Sequence, residues 1–243
     1  MTTRIFHPEP LHSQSQVQLS DSAAGHVARV LRMRVGDTIE LFDGSGLAYP
    51  AILAAVEKRN VVADVGEALE HSVESPLKVH IGQGVSRGDK MDFTIQKAVE
   101  LGVDAITPLI TERCGVKLQA ERWQKKVQHW QQVAISACEQ CGRNLVPQIN
   151  SPVSLAEWLV EQTEQLKLNL HPSAQHGING IDSVPAAGVR LLIGPEGGLS
   201  EQEIAAAGEH GYQSILLGPR VLRTETAALT ALTALQTRFG DLG

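Results

Sequence analysis

From Leu77 onward, short apolar runs alternate with longer segments whose apolar residues recur every three or four positions. A run of five or six apolar residues between turn residues suits a buried strand. A period near 3.6 suits a helix with one apolar face. Strands are expected over Leu77–Gln83, Val103–Ile110, Leu166–Leu170, Val189–Ile193 and Ser214–Leu217. Met91, Ile95, Ala98 and Val99 mark one helix, which Gly102 is placed to stop. Trp123, Val127, Trp130, Ala134 and Ala137 mark another. Strands separated by helices pair in parallel, so this part reads as an α/β domain with a mostly parallel sheet.

The first 75 residues have a different rhythm. Val17–Leu19, Thr38–Phe42, Leu47–Val56 and Asn60–Val65 read as short strands, with Asp43-Gly-Ser-Gly46 as a hairpin turn. Ala23, Val27, Val30 and Leu31 predict a helix over Asp21–Leu31. Short strands and tight turns suggest a small β-barrel-like domain. The polar run Glu70–Pro76 reads as a linker, so residues 1–72 and 76–243 are expected to form separate domains.

Hydrophobic residues make up 42% of the chain and charged residues 20%, enough for a core in each part. No apolar run reaches the roughly 18 residues of a membrane span, and residues 1–8 show no apolar leader, so a cytoplasmic protein is expected. The balance of 21 basic and 27 acidic residues, net −6, is awkward for a nucleic-acid partner, which needs cations at its phosphates. Two local groups soften that objection: Arg29, Arg32 and Arg34, and Arg113, Lys117, Arg122, Lys125 and Lys126. Each is equally readable as a solvated face.

Open α/β sheets bind ligands beyond the carboxyl ends of their strands. Three strands here run into unusual loops: Leu168–Pro172, Leu192–Leu199 and Leu216–Thr226. The second holds Gly194, Gly197 and Gly198, and Ser200 with Glu203 forms a capping box that starts a helix near Glu201. A glycine loop feeding a helix offers free N–H groups to a polar or anionic ligand, although a plain strand-to-helix turn needs the same residues. The third places Arg220, Arg223 and Glu225 around Val221-Leu222, a set that either serves a site or merely pairs internally. His171 is open to a pocket role or a structural one.

No Walker loop is present. Gly82-Gln-Gly-Val-Ser-Arg-Gly88 approaches a dinucleotide fingerprint, but its third glycine falls one position late; Arg87 and Lys90 there are alternative phosphate contacts. Cys138-Glu-Gln-Cys141 closes a helix, whereas a redox pair opens one, and a zinc site lacks two ligands. No metal is expected.

Taken together, Gly194-Pro-Glu-Gly-Gly-Leu-Ser200 and Leu217-Gly-Pro-Arg-Val-Leu-Arg-Thr-Glu-Thr226 closely resemble bacterial ribosomal RNA uridine-N3 methyltransferases of the SPOUT superfamily. Phe93–Gly102, Glu112-Arg-Cys114, Cys138–Arg143, His26–Arg32 and Phe42-Asp-Gly44 carry the same resemblance across nearly the whole chain.

The resemblance implies a PUA-like RNA-binding barrel followed by a SPOUT domain with a deep trefoil knot. It implies S-adenosylmethionine as cofactor, a homodimer, and a uridine of 16S ribosomal RNA in the small subunit as target. The cofactor would lie on Leu170, His171, Ile193, Gly194, Glu196, Gly197, Gly198, Leu217, Gly218, Val221, Leu222 and Thr224. Arg223, Glu225, Arg143 and Glu139 are the candidates for the chemistry. Arg29, Arg32, Arg34, Arg87, Lys90 and Lys117 are the candidates for RNA contact. A knotted ribose 2′-O methyltransferase of transfer RNA and a non-catalytic assembly factor are the alternatives.

Overall fold

The computed structural model describes residues 2–116 and 119–243. Lys117, one of the expected RNA contacts, lies outside them. Two compact units emerge: residues up to Glu74 together with Ile135–Val146, and Ser75–Ala134 together with Pro147–Gly243.

The first unit is a five-stranded sheet. Its strands are β1 (Thr3–Phe6), β2 (Gln16–Gln18), β3 (Thr38–Phe42), β4 (Ala48–Val56) and β5 (Val61–Val65). Their order is β1-β3-β4-β5-β2, with β1 parallel to β3 and the other pairs antiparallel. Alternate residues of β3, β4 and β5, among them Ile39, Leu41, Leu53 and Ala63, bury one face against Ala24 and Val27. The strand β1 has no periodic signature of its own; its parallel register with β3 creates it.

The helix expected over Asp21–Leu31 is present but changes form. An α-helical turn, α1 (Asp21–Gly25), capped by the Ser20 side chain, becomes a π-helical turn over His26–Val30. The wider turn keeps Val27 buried and leaves Val30 and Leu31 exposed, beside Arg32 in the left-handed region (φ 54°).

The second unit is a parallel sheet with helices. Its strands are β6 (Val79–Gly84), β7 (Ala105–Ile110), β8 (Gln148–Ile149), β9 (Val153–Ser154), β10 (Leu166–Leu170), β11 (Val189–Ile193) and β12 (Gln213–Ile215). The order is β12-β10-β11-β6-β7-β8, with β9 also paired to β7, and every pair is parallel. The helices are α2 (Lys90–Glu100), α3 (Ala120–Cys141), which belongs to this unit as far as Ala134, α4 (Leu155–Val160), α5 (Glu201–Glu209) and α6 (Thr224–Phe239). All five residues of β11 are buried, as expected of a central parallel strand, including Arg190, whose guanidinium bonds Tyr212, the Trp158 carbonyl and Glu161. Asp92 of α2 accepts a hydrogen bond from Trp130 Nε1 (3.0 Å) and pairs with His129 (2.6 Å), which fixes that stretch of α3.

Periodicity gives no sign of α4, because the helix is only 6 residues long. Its Ser154–Glu157 capping box is nonetheless written in the sequence. The same device at Ser200–Glu203 starts α5 at Glu201, as expected.

The near-match to a dinucleotide fingerprint has a packing explanation. Gly82 and Gly84 lie inside β6, and Gly84 presses on the backbone of Gly194 and Pro195, leaving no room for a Cβ. Gly84 brings strand and loop together, and Gly82 makes room for Trp158 and Leu109; neither is needed to cradle a phosphate.

Candidate active site

Beyond the carboxyl ends of β10, β11 and β12 lies a cavity of about 590 Å³. That is the size of an ordinary small-molecule site. Eleven of the twelve residues expected to hold a cofactor line it: Leu170, His171, Ile193, Gly194, Glu196, Gly197, Gly198, Leu217, Val221, Leu222 and Thr224. Gly218 does not. Gly198 (φ +69°) and Gly218 (φ +77°) both sit in the left-handed region, which turns each loop back over the cavity.

One buried chain of hydrogen bonds holds the walls together. Thr224, the first residue of α6, donates from Oγ1 to the Gly194 carbonyl (2.6 Å). Gln83, fully buried at the end of β6, donates from Nε2 to Thr224 Oγ1 (2.8 Å) and to the Gly84 carbonyl (3.0 Å). Thus β6, the Gly194 loop and α6 share one network. Gln83 is not among the expected site residues. Its only hint in the sequence is a polar residue near the carboxyl end of a strand.

Glu196 sits at the cavity edge. Burial raises its pKa, but N–H groups of Arg87 and of Glu196 itself, with the Lys90 ammonium at 3.3 Å, outweigh that and hold the carboxyl below its usual range. Lys90, expected at RNA, therefore lines this cavity, while Arg87 contributes its backbone to Glu196 and its side chain lies against Gly115. Arg113 and Arg220 also line the cavity.

The four candidates for the chemistry separate. Arg223 lines the cavity and is exposed. Glu225, two residues on, is not in the lining, and its Oε2 is buried with no partner among the described residues. Arg143 and Glu139 belong to the first unit. Arg143 is buried and pairs with Glu74 (2.7 Å), whose other oxygen accepts the N–H groups of Asn144 and Leu145. Glu139 accepts the Phe6 N–H (3.1 Å); burial raises its pKa, with Phe6, His26 and Arg4 partly opposing. Arg29, Arg32 and Arg34 are exposed together around the π-helical turn of that unit.

Cys138 donates to the Leu145 carbonyl, and burial pushes its thiol up to about 12, against the pull of Arg143. A thiol held so firmly protonated is a packing group rather than a nucleophile. Among the described residues, no group of three His, Cys, Asp or Glu side chains is placed to hold a metal ion, and no helix is long and apolar enough to cross a membrane.

The chain, a parallel sheet with a glycine-walled cavity at its carboxyl ends preceded by a small β unit, belongs to the RNA methyltransferases by the family profiles that it matches. A family profile described as an RNA methyltransferase domain matches residues 73–236, and one described as an RNA methyltransferase PUA domain matches residues 19–66. The chain belongs to the family named ribosomal RNA small subunit methyltransferase E. The member from Buchnera aphidicola subsp. Schizaphis graminum is 39% identical over 98% of this chain and 97% of its own. That from Bacillus subtilis is 36% identical over 86% of this chain and 85% of its own. Among solved structures, ribosomal RNA small subunit methyltransferase E of Neisseria gonorrhoeae, bound to S-adenosyl methionine, is 41% identical, with a TM-score of 0.94 and full coverage of both chains. A Legionella pneumophila methyltransferase in complex with the cofactor SAM is 45% identical, with a TM-score of 0.95 over the whole of both chains.

Proposed function

We propose that this protein transfers a methyl group from S-adenosylmethionine to N3 of one uridine of 16S ribosomal RNA, in the small subunit. The observation that carries the reading is the cavity at the ends of β10, β11 and β12, walled by the two motifs that define the resemblance. The residues fit the cofactor: Leu170, Ile193, Leu217 and Leu222 offer apolar surface for an aromatic ring, and the Gly194–Gly198 loop offers close backbone contact. A side chain at Gly194 would crowd the Leu199 backbone at 3.0 Å, so the bare backbone there lets the loop fold tightly. When bound, the cofactor supplies a methyl group already activated by a sulfonium, and the chain's task is alignment and proton removal.

Uracil N3 is a poor nucleophile until its proton leaves. Arg223, exposed at the cavity, stabilises the negative ring that results, since a guanidinium stays charged and donates several hydrogen bonds. Glu225 is the candidate acceptor for the proton; its buried oxygen at the start of α6 has no partner among the described residues and does not line the cavity, so the proton reaches it through a bridging water. Arg143 and Glu139 serve the first unit through Glu74 and Phe6.

The trefoil knot, the homodimer, the cytoplasmic location and an RNA-docking role for Arg29, Arg32 and Arg34 belong to the same proposal. Arg223→Ala is expected to lower kcat by about 10²–10³ while S-adenosylmethionine affinity stays within about threefold. Unchanged turnover, measured by nucleoside analysis of methylated RNA, removes Arg223 from the chemistry.

A further inference from the structure

The net charge of −6 should repel RNA, yet the cavity lining carries four cations, Lys90, Arg113, Arg220 and Arg223, against Glu196 and Glu201. Lys90 is engaged with Glu196, and Arg223 is assigned to the base. Two arginines remain.

Arg113 follows β7 and is held in place: its Nη1 donates to the carbonyls of Gly197 (3.1 Å) and Leu199 (3.4 Å). A guanidinium has five N–H donors, so Nε and Nη2 remain, and they have no acceptor among the described residues. Arg220 follows β12 and is exposed, with no hydrogen bond or ion pair among the described residues. Pro219 and Gly218, with its positive φ, restrict the loop that carries it. In the sheet, β7 and β12 are separated by β6, β11 and β10, so the two guanidinium groups reach the same cavity from opposite flanks. Arg223 and Val221 (85% exposed) line the same cavity. A guanidinium fixed at a concave mouth matches a phosphodiester oxygen pair better than any other group of RNA.

We propose that Arg113 and Arg220 are phosphate contacts that bracket the methyl-accepting nucleotide, one on each side of its backbone. This rests on the reading of the substrate as RNA. Single-stranded RNA is recognised with its base splayed out, and contacts on the flanking phosphates set the depth to which that base enters. A local clamp also lets an acidic protein act on RNA: affinity is concentrated at one nucleotide instead of spread along the chain.

The test is methyl transfer from S-adenosylmethionine to small ribosomal subunits from cells lacking the enzyme, with KCl varied between about 50 and 200 mM at fixed magnesium. Arg220→Gln is expected to raise KM for the subunit about tenfold, with kcat and S-adenosylmethionine affinity within about twofold. The slope of log(kcat/KM) against log[KCl] should become shallower by about 0.7–0.9, as expected when one fewer phosphate is neutralised. Arg220→Lys should recover the slope while recovering only part of KM, because a point charge cannot bind in bidentate fashion. Arg113→Lys should behave likewise. A wild-type salt slope in Arg220→Gln overturns the clamp while leaving the methyltransferase reading intact. Wild-type protein that methylates no subunit overturns both.

Discussion

Replacing Thr224 by valine tests whether the hydrogen-bonded chain across β6, the Gly194 loop and α6 holds the cofactor cavity. Valine matches threonine in shape, so no void opens and the change isolates one hydroxyl. That hydroxyl donates to the Gly194 carbonyl at 2.6 Å and accepts from Gln83 at 2.8 Å, in a buried setting. Its removal leaves the carbonyl unpaired, a cost of about 1–3 kcal/mol, and takes away one of the two bonds made by Gln83 Nε2, a cost nearer 1 kcal/mol because the Gly84 bond remains. The sum is about 2–4 kcal/mol, against a total stability of about 5–15 kcal/mol for an ordinary domain. All three tryptophans, Trp123, Trp130 and Trp158, lie in the second unit, so their fluorescence in a urea titration follows that unit alone. The midpoint is expected to fall with an unchanged slope, and calorimetry should show S-adenosylmethionine binding weakened at least fivefold as the Gly194 loop loosens. Thr224→Ser keeps the hydroxyl and should restore most of both. A valine variant with wild-type midpoint and wild-type affinity would refute the network's role.

Gly84→Ala should be more damaging, because the added carbon meets backbone that cannot move aside; it lies 2.8 Å from the Gly194 carbonyl carbon. A loss of about 3 kcal/mol or more, with cofactor binding abolished, is expected by urea unfolding and calorimetry. His80 should make the second unit acid-sensitive. Burial, then the nearby Arg190 charge, lowers its pKa from 6.5 to about 4 despite Glu161. The folded state thus prefers the neutral ring: its contribution is complete above pH 6.5 and is lost as pH falls through about 4, about 3 kcal/mol in all. Tryptophan-detected unfolding from pH 8 to 4 should show that slope, and His80→Gln should flatten it. Glu139 has the opposite sign, since burial raises its pKa above the usual 4.5 and disfavours the folded carboxylate at neutral pH. Glu139→Gln should raise the calorimetric melting temperature at pH 8, with the gain vanishing below pH 4.5.

What the sequence determined by itself was local. The apolar runs of β6, β7, β10 and β11 and the faces of α2, α3 and α6 are periodic, and the capping box Ser200–Glu203 set the start of α5 within the reach of its own side chains. The cavity-lining loops were legible because glycine and proline punctuate strand ends whatever lies nearby. Tertiary structure decided the rest. The strand β1 exists through its pairing with β3, the two-residue strands β8 and β9 through β7, and the π-helical turn through the need to bury Val27. Gly84 looks like part of a nucleotide fingerprint until Pro195 is seen against it. Gln83 and Thr224 lie 141 residues apart, and no spacing rule joins them. The bonds of Arg143 and Glu139 to Glu74 and Phe6 are equally hidden, since those residues lie 69 and 133 positions away. A sequence displays what a residue can do within a few positions of itself; which buried group it must satisfy is fixed only when distant strands meet.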